Sequence, residues 1–177
     1  INGDGFSDII TGAYFANPNS LGSEGAAYVV FGGNFTGSVT VRGTSSADTL
    51  NGVSGDDVIV GGSGNDTINL LSEVDNTITA VNTENVLGGA GNDVVTLGNA
   101  VTSGSFDLEE NTGDTLNLFS GGNNTVTVTN TETINAGAGD DSITLGTQAT
   151  SAAFDFGAGT DSLTLADVVN SATVTNI

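Results

Sequence analysis

Three aspartates at a spacing of nine residues carry the first chemical signal in this chain. Asp48, Asp57 and Asp66 sit in the consecutive nonapeptides GTSSADTLN (43–51), GVSGDDVIV (52–60) and GGSGNDTIN (61–69). Each aspartate is followed two residues later by a large aliphatic side chain: Leu50, Ile59 and Ile68. Carboxylates are oxygen donors, and glycine-rich turns expose carbonyl oxygens because they reach positive φ without Cβ strain. If such turns stack along one edge, they lie about one strand spacing apart, roughly 4.8 Å. Carboxylates and carbonyls of neighbouring turns then surround a single point, and the flexible, all-oxygen cage so formed suits a hard cation such as calcium.

The nine-residue unit resembles the calcium-binding nonapeptide of the RTX (repeats-in-toxin) family, G-G-x-G-x-D-x-U-x with U a large aliphatic residue. The glycines of the first two units are degenerate, as at Val53. Extended in steps of 18, the rhythm defines two acidic edges, one with Asp48, Asp66 and Glu84 and one with Asp57, Asp75 and Asp93. The later turns GGAGNDVV (88–95), GAGDDSI (137–143) and GAGTDSL (157–163) add Asp141 and Asp161 as metal ligands; ENTGDTL (110–116) lacks the glycine pair. The alternative for each isolated motif is a glycine turn whose aspartate accepts backbone N–H groups.

The first residues differ. INGDGFSD (1–8) resembles the loop of an FG-GAP repeat, the blade unit of integrin-α-like propellers, whose fuller pattern is D-x-N-G-D-G-x-x-D. Asn2, Asp4 and Asp8 match its third, fifth and ninth positions, and the resemblance implies calcium ligation by these side chains with the carbonyl of Phe6. GAAYVVFGG (25–33) completes the likeness, and the alternative is an Asp/Asn/Gly turn joining two strands without metal.

Composition narrows the function. The 177 residues contain 21 Asp and Glu against one basic residue, Arg42, a formal charge of −20. No basic surface exists to meet phosphate, which excludes nucleic acid as a partner, and no apolar run is long enough for insertion of a helix into a membrane. The absence of His, Cys and Lys removes the usual general bases, thiol nucleophiles and Schiff-base chemistry, so a non-catalytic protein is expected. Divalent cations are the natural counter-charge.

A longer repeat positions these motifs. Residues 76–112 match 124–160 at an offset of 48, with 18 of 37 positions identical, and a third copy starts at NSATVTN (170–176). The chain therefore opens inside one motif and closes inside another, as expected of a piece of a longer repetitive protein. Each 48-residue unit contains five acidic or neutral steps ending in an apolar residue. Two short strands per coil, about 19 residues, make five an odd number, so equivalent motifs should alternate between two faces.

The expected fold is all-β: a right-handed parallel β-solenoid, or β-roll, with about two short strands per coil. An N-terminal β-hairpin from the partial FG-GAP unit precedes it. The expected boundaries are 1–42 for that unit with a connecting strand and 43–177 for the solenoid, with tandem nonapeptides at 43–69 and 48-residue repeats over 70–177. The core should form two columns, Leu50–Ile68–Val86 and Ile59–Ile78–Val95, continued by Phe106, Phe154 and Leu163. The RTX and FG-GAP resemblances imply a calcium-stabilised extracellular structural module, a segment of a bacterial surface, filament or type I-secreted protein, with other copies of itself end to end as partners. The competing reading is an adhesin-type module for carbohydrate, ice or a partner surface, for which Tyr14, Phe15 and Tyr28 are the aromatic candidates.

Overall fold

A computed structural model of the chain describes residues 9–13, 26–30, 39–52, 56–71, 73–109 and 112–177. The chain divides into two compact units, Ile1–Ser38 and Val39–Ile177. In the first, β1 (Ile9–Ala13) and β2 (Ala26–Val30) form the expected antiparallel hairpin, with Ile9 opposite Val30 and Ala13 opposite Ala26. Asn2, Asp4, Phe6, Asp8, Tyr14 and Phe15 lie outside the described residues.

The second unit is built from strands of two to six residues and contains no helix among the described residues. In chain order they are β3 (Val41–Arg42), β4 (Thr49–Asn51), β5 (Asp56–Val60), β6 (Thr67–Asn69), β7 (Thr77–Val81), β8 (Asn85–Leu87), β9 (Val94–Leu97), β10 (Gly104–Asp107), β11 (Thr115–Asn117), β12 (Thr125–Thr129), β13 (Thr133–Asn135), β14 (Ser142–Leu145), β15 (Thr150–Asp155), β16 (Ser162–Thr164) and β17 (Ser171–Thr175). Odd strands from β3 to β17 make one eight-stranded sheet, and even strands from β4 to β16 make a seven-stranded sheet. Every pairing in both is parallel. Consecutive strands therefore alternate between sheets, each coil carries two strands, and the unit is a β-solenoid.

The segments form strands because Thr, Val and Ile dominate them and because a period of two sends one aliphatic side chain inward from each. In the seven-stranded sheet Leu50, Ile68 and Val86 stack rung on rung, as the 18-residue spacing requires, and Phe106, 20 residues on, continues the stack. In the eight-stranded sheet Ile78, Val95, Leu116, Ile134, Phe154 and Val174 form the facing stack. Nearly all of these side chains are fully buried, with Val174 only partly covered, and they pack into one continuous cluster.

The second expected column is corrected by the register. Ile59 does not stack on Ile78. It pairs with Val41 below and Ala80 above, while Asp57 falls in line with Ile78. Val41 to Ile59 is 18 residues, but Ile59 to Ala80 is 21, because a longer turn ending at Asn76 separates β6 from β7. The alternation of faces does hold: β7, β8, β9 and β10 correspond by the offset of 48 to β12, β13, β14 and β15, and each pair is split between the two sheets.

Candidate metal centre

The residues that open each strand form two ladders, one along each edge of the solenoid. Along the seven-stranded sheet, the N–H of Asp48 donates to Asp66 Oδ1 (2.8 Å) and the N–H of Asp66 to Glu84 Oε2 (2.9 Å). Further on, Val101 donates to Asn124 Oδ1 (3.2 Å), Asn124 to Asp141 Oδ1 (2.7 Å) and Asp141 to Asp161 Oδ1 (2.8 Å). Along the other edge Asn76 donates to Asp93 Oδ1 (2.9 Å), Asp93 to Asp114 Oδ1 (2.7 Å), Asp114 to Glu132 Oε2 (3.1 Å) and Ala149 to Asn170 Oδ1 (2.9 Å). Each side chain thus satisfies the backbone amide of the coil before it. The two ladders break at Val101 and Ala149, corresponding positions of the 48-residue repeat that bring no side-chain acceptor.

This arrangement uses one carboxylate oxygen. The other is left over. Oδ2 of Asp66, Asp93, Asp141 and Asp161 is buried and has no hydrogen-bond partner. Asp66 and Asp93 are completely inaccessible to solvent. An ionised oxygen buried without a partner costs several kcal/mol, on the order of the penalty for an uncompensated buried charge. Burial pushes the Asp93 carboxyl up from its ordinary range, and the neighbouring charge of Asp75 adds to the rise, against the lowering by hydrogen bonds from Asn76 and Gly89. These orphaned oxygens are the ones that could accept a hard cation.

The turns that face them are closely stacked. Gly62 and Gly64 have φ of +118° and +119°, and a Cβ on Gly62 would lie 2.0 Å from the carbonyl oxygen of Thr44 in the coil below. A Cβ on Gly61 would lie 2.5 Å from Asp66 Oδ2. The glycines therefore bring backbone oxygens and the orphaned carboxylate within reach of each other. Among the described residues no three acidic side chains converge on one point, so carbonyls must supply most of the oxygens around any cation.

The residues singled out by spacing occupy unequal places. Asp66, Asp93, Asp141 and Asp161 combine a ladder bond with an orphaned oxygen. Glu84 is a ladder acceptor, and Asp48 is satisfied within its own turn, its Oδ2 accepting from Thr44 N–H (2.6 Å) and Thr44 Oγ1 (2.9 Å). Asp57 and Asp75 do not share an edge position with Asp93. Asp57 lies inside β5, buried, and Asp75 is exposed, one residue before the ladder, where its Oδ1 accepts from Asn92 N–H (2.8 Å). The position in line with Asp93 is Asn76. Asn76, Asn124 and Asn170, with Asp114 and Glu132, are ladder members that the nonapeptide frame passes over. The offset of 48, which aligns Asn76 with Asn124, is the signal that marks the first two.

Comparison with family models places these motifs. The RTX calcium-binding nonapeptide repeat matches in 4 copies, over residues 40–76, 83–100 and 126–149. The FG-GAP repeat matches residues 1–30. RTX nonapeptide repeats bind calcium ions and are typical of secreted bacterial proteins. Among curated proteins and among solved structures nothing matches this chain. No helix among the described residues is long and apolar enough to cross a membrane.

Proposed function

Taking as premise a chain that carries RTX calcium-binding nonapeptide repeats and an FG-GAP repeat, we propose that it is a non-catalytic, calcium-stabilised extracellular segment of a bacterial surface, filament or secreted protein. The observation that carries this reading is the set of buried, partnerless Oδ2 atoms on Asp66, Asp93, Asp141 and Asp161. Calcium would be held by these carboxylates together with carbonyls of the adjacent glycine turns. Asn2, Asp4, Asp8 and the Phe6 carbonyl remain candidates for a separate ion in the FG-GAP loop.

The mechanism is coupling of binding to folding. Without a cation, stacked carboxylates repel one another across one strand spacing, about 4.8 Å, and the orphaned oxygens oppose burial. A bound calcium ion reverses both effects, so its binding free energy becomes folding free energy. Weak sites, with dissociation constants of about 10⁻⁴–10⁻³ M, would be filled outside a cell, where calcium is millimolar, and empty within it. Calcium titration of the chain followed by far-UV circular dichroism tests this. A gain of β signal and a rise in the thermal midpoint are expected, and a spectrum and midpoint indifferent to both calcium and EDTA would overturn the reading.

End-to-end association with other copies belongs to the same proposal. Leu165 is exposed, whereas Leu70, Leu97, Leu118 and Leu145, which hold the same place four residues after their ladder aspartates, are buried under the following coil. The edges of β16 and β17 carry further strand-pairing capacity of the kind that another coil would take up.

A further inference from the structure

We propose that Asn76, Asn124 and Asn170 act as built-in replacements for a cation, closing their turns without metal. This rests on the calcium reading of the glycine turns. What a cation does in such a turn is gather oxygens that would otherwise repel. In the turn before β7 a single nitrogen does this: Asn76 Nδ2 lies 3.0 Å from Leu71 O, 2.8 Å from Val74 O and 2.7 Å from Asp93 Oδ1. Before β12 the geometry recurs, with Asn124 Nδ2 at 3.0 Å from Phe119 O, 3.1 Å from Gly122 O and 2.8 Å from Asp141 Oδ1. Before β17, Asn170 Nδ2 takes Ala166 O (3.0 Å) and Val168 O (2.9 Å).

The opposite end of the amide is used too. Asn124 Oδ1 accepts from Val101 N–H and Asn170 Oδ1 from Ala149 N–H, which fixes the amide orientation, with oxygens gathered on one side and a donor on the other. Asn124 therefore ties three coils: the preceding one through its oxygen, its own turn through its nitrogen, and the following one through Asp141. Asn76 and Asn124 are buried, and their nitrogens fill the point at which the oxygens converge. A neutral amide does this with no net charge. An aspartate there would bring no donor and would place a second carboxylate beside Asp93 or Asp141. The contrast with the turn at 61–66 is direct, since there no chain donor meets Asp66 Oδ2.

The solenoid thus contains turns of two kinds, and Asp93 and Asp141 join them, with Oδ1 held by an asparagine and Oδ2 left for a cation. Hydrogen exchange of the 177-residue chain, with free calcium buffered stepwise downward from the millimolar range, reads the difference. Amides of residues 61–67 should lose protection at about tenfold higher free calcium than those of Val101 and Asn124, the scale set by one buried donor–acceptor contact. Simultaneous loss, or loss at Val101 and Asn124 first, overturns the proposal. Asn124→Asp supplies the second test, by equilibrium dialysis. The variant should bind more calcium at saturation than the parent and show a steeper dependence of its thermal midpoint on calcium. An unchanged or lower calcium count overturns the assignment. Either result can be told apart from failure of the calcium reading itself, in which no turn would respond to calcium.

Discussion

Each acidic residue in these ladders has two oxygens with different tasks, and substitutions can separate them. Asp66→Asn preserves an acceptor for the N–H of Asp48 but removes the charge that a cation would balance. It should leave stability in EDTA unchanged or raised, and cut the stabilisation by calcium by about 1–3 kcal/mol. Asp66→Ala should also lower stability in EDTA, because the part-buried amide of Asp48 loses its partner. Asp107→Ala is the comparison: Asp107 Oδ1 is held by Asn130 Nδ2 (3.0 Å) and Glu109 N–H (3.2 Å), so its cost should be the same with and without calcium. Chemical unfolding in both buffers measures all three. Asp93 makes a pH prediction. Its carboxyl titrates above the ordinary aspartate value of 3.8 in the folded, metal-free chain, so the folded form binds the proton more tightly than the unfolded one. The stability gained through Asp93 is therefore complete below 3.8 and is lost as pH rises through the raised value. Asp93→Asn should flatten that part of the profile of EDTA-treated protein, as read by urea titrations.

At the scale of turns and strands, what was legible depended on what sets the length of a coil. The column Leu50–Ile68–Val86 could be read from sequence because the count of 18 survives in both steps: glycine turns separate Leu50 from Ile68, and between Ile68 and Val86 the long turn 70–76 is offset by the short turn 82–84. The column through Ile59 could not, because the turn before β7 is closed by the Asn76 amide rather than by glycines, and its extra residues move Ile59 onto Ala80. The same difference hides Asp114. It lacks a glycine pair ahead of it, yet it accepts from Asp93 N–H, since a ladder rung needs only an acceptor at the strand start. Both readings of the motif aspartates, cation ligand and backbone cap, were open in the sequence; the structure shows the cap on Oδ1 and Oδ2 of Asp66, Asp93, Asp141 and Asp161 without a partner. Gly62→Ala tests the turn itself. The substitution places a methyl group 2.0 Å from Thr44 O at φ +118°, and should destabilise the chain by about 1–3 kcal/mol or more in calcium. An unchanged unfolding midpoint would mean that the two turns do not stack closely.

For the molecule as a whole, a formal charge of −20 makes the metal-free chain oppose its own compaction. Monovalent salt should stabilise it in EDTA through screening, whose range is about 10 Å at 0.1 M, and should help much less once calcium is bound. Thermal melts at several salt concentrations distinguish the two states. The uncovered apolar side chains of the last coil lead to a second expectation. Concentrated protein in calcium should scatter light as end-to-end assemblies, and Leu165→Asp, at a side chain 49% exposed, should reduce that association without lowering the thermal midpoint. A strictly monomeric particle at high concentration would remove the end-to-end proposal.

The odd number of strands in the 48-residue repeat has a consequence for how such a chain can change length. One repeat advances the solenoid by two and a half coils, so β7 and its counterpart β12 lie in opposite sheets. Inserting or losing a single repeat therefore rotates everything downstream by half a revolution, and whatever surface faced one side then faces the other. A change of two repeats restores the original phase. Copy number acts here as a parity: even changes alter only reach, whereas odd changes also reverse which side of the solenoid axis each later segment presents.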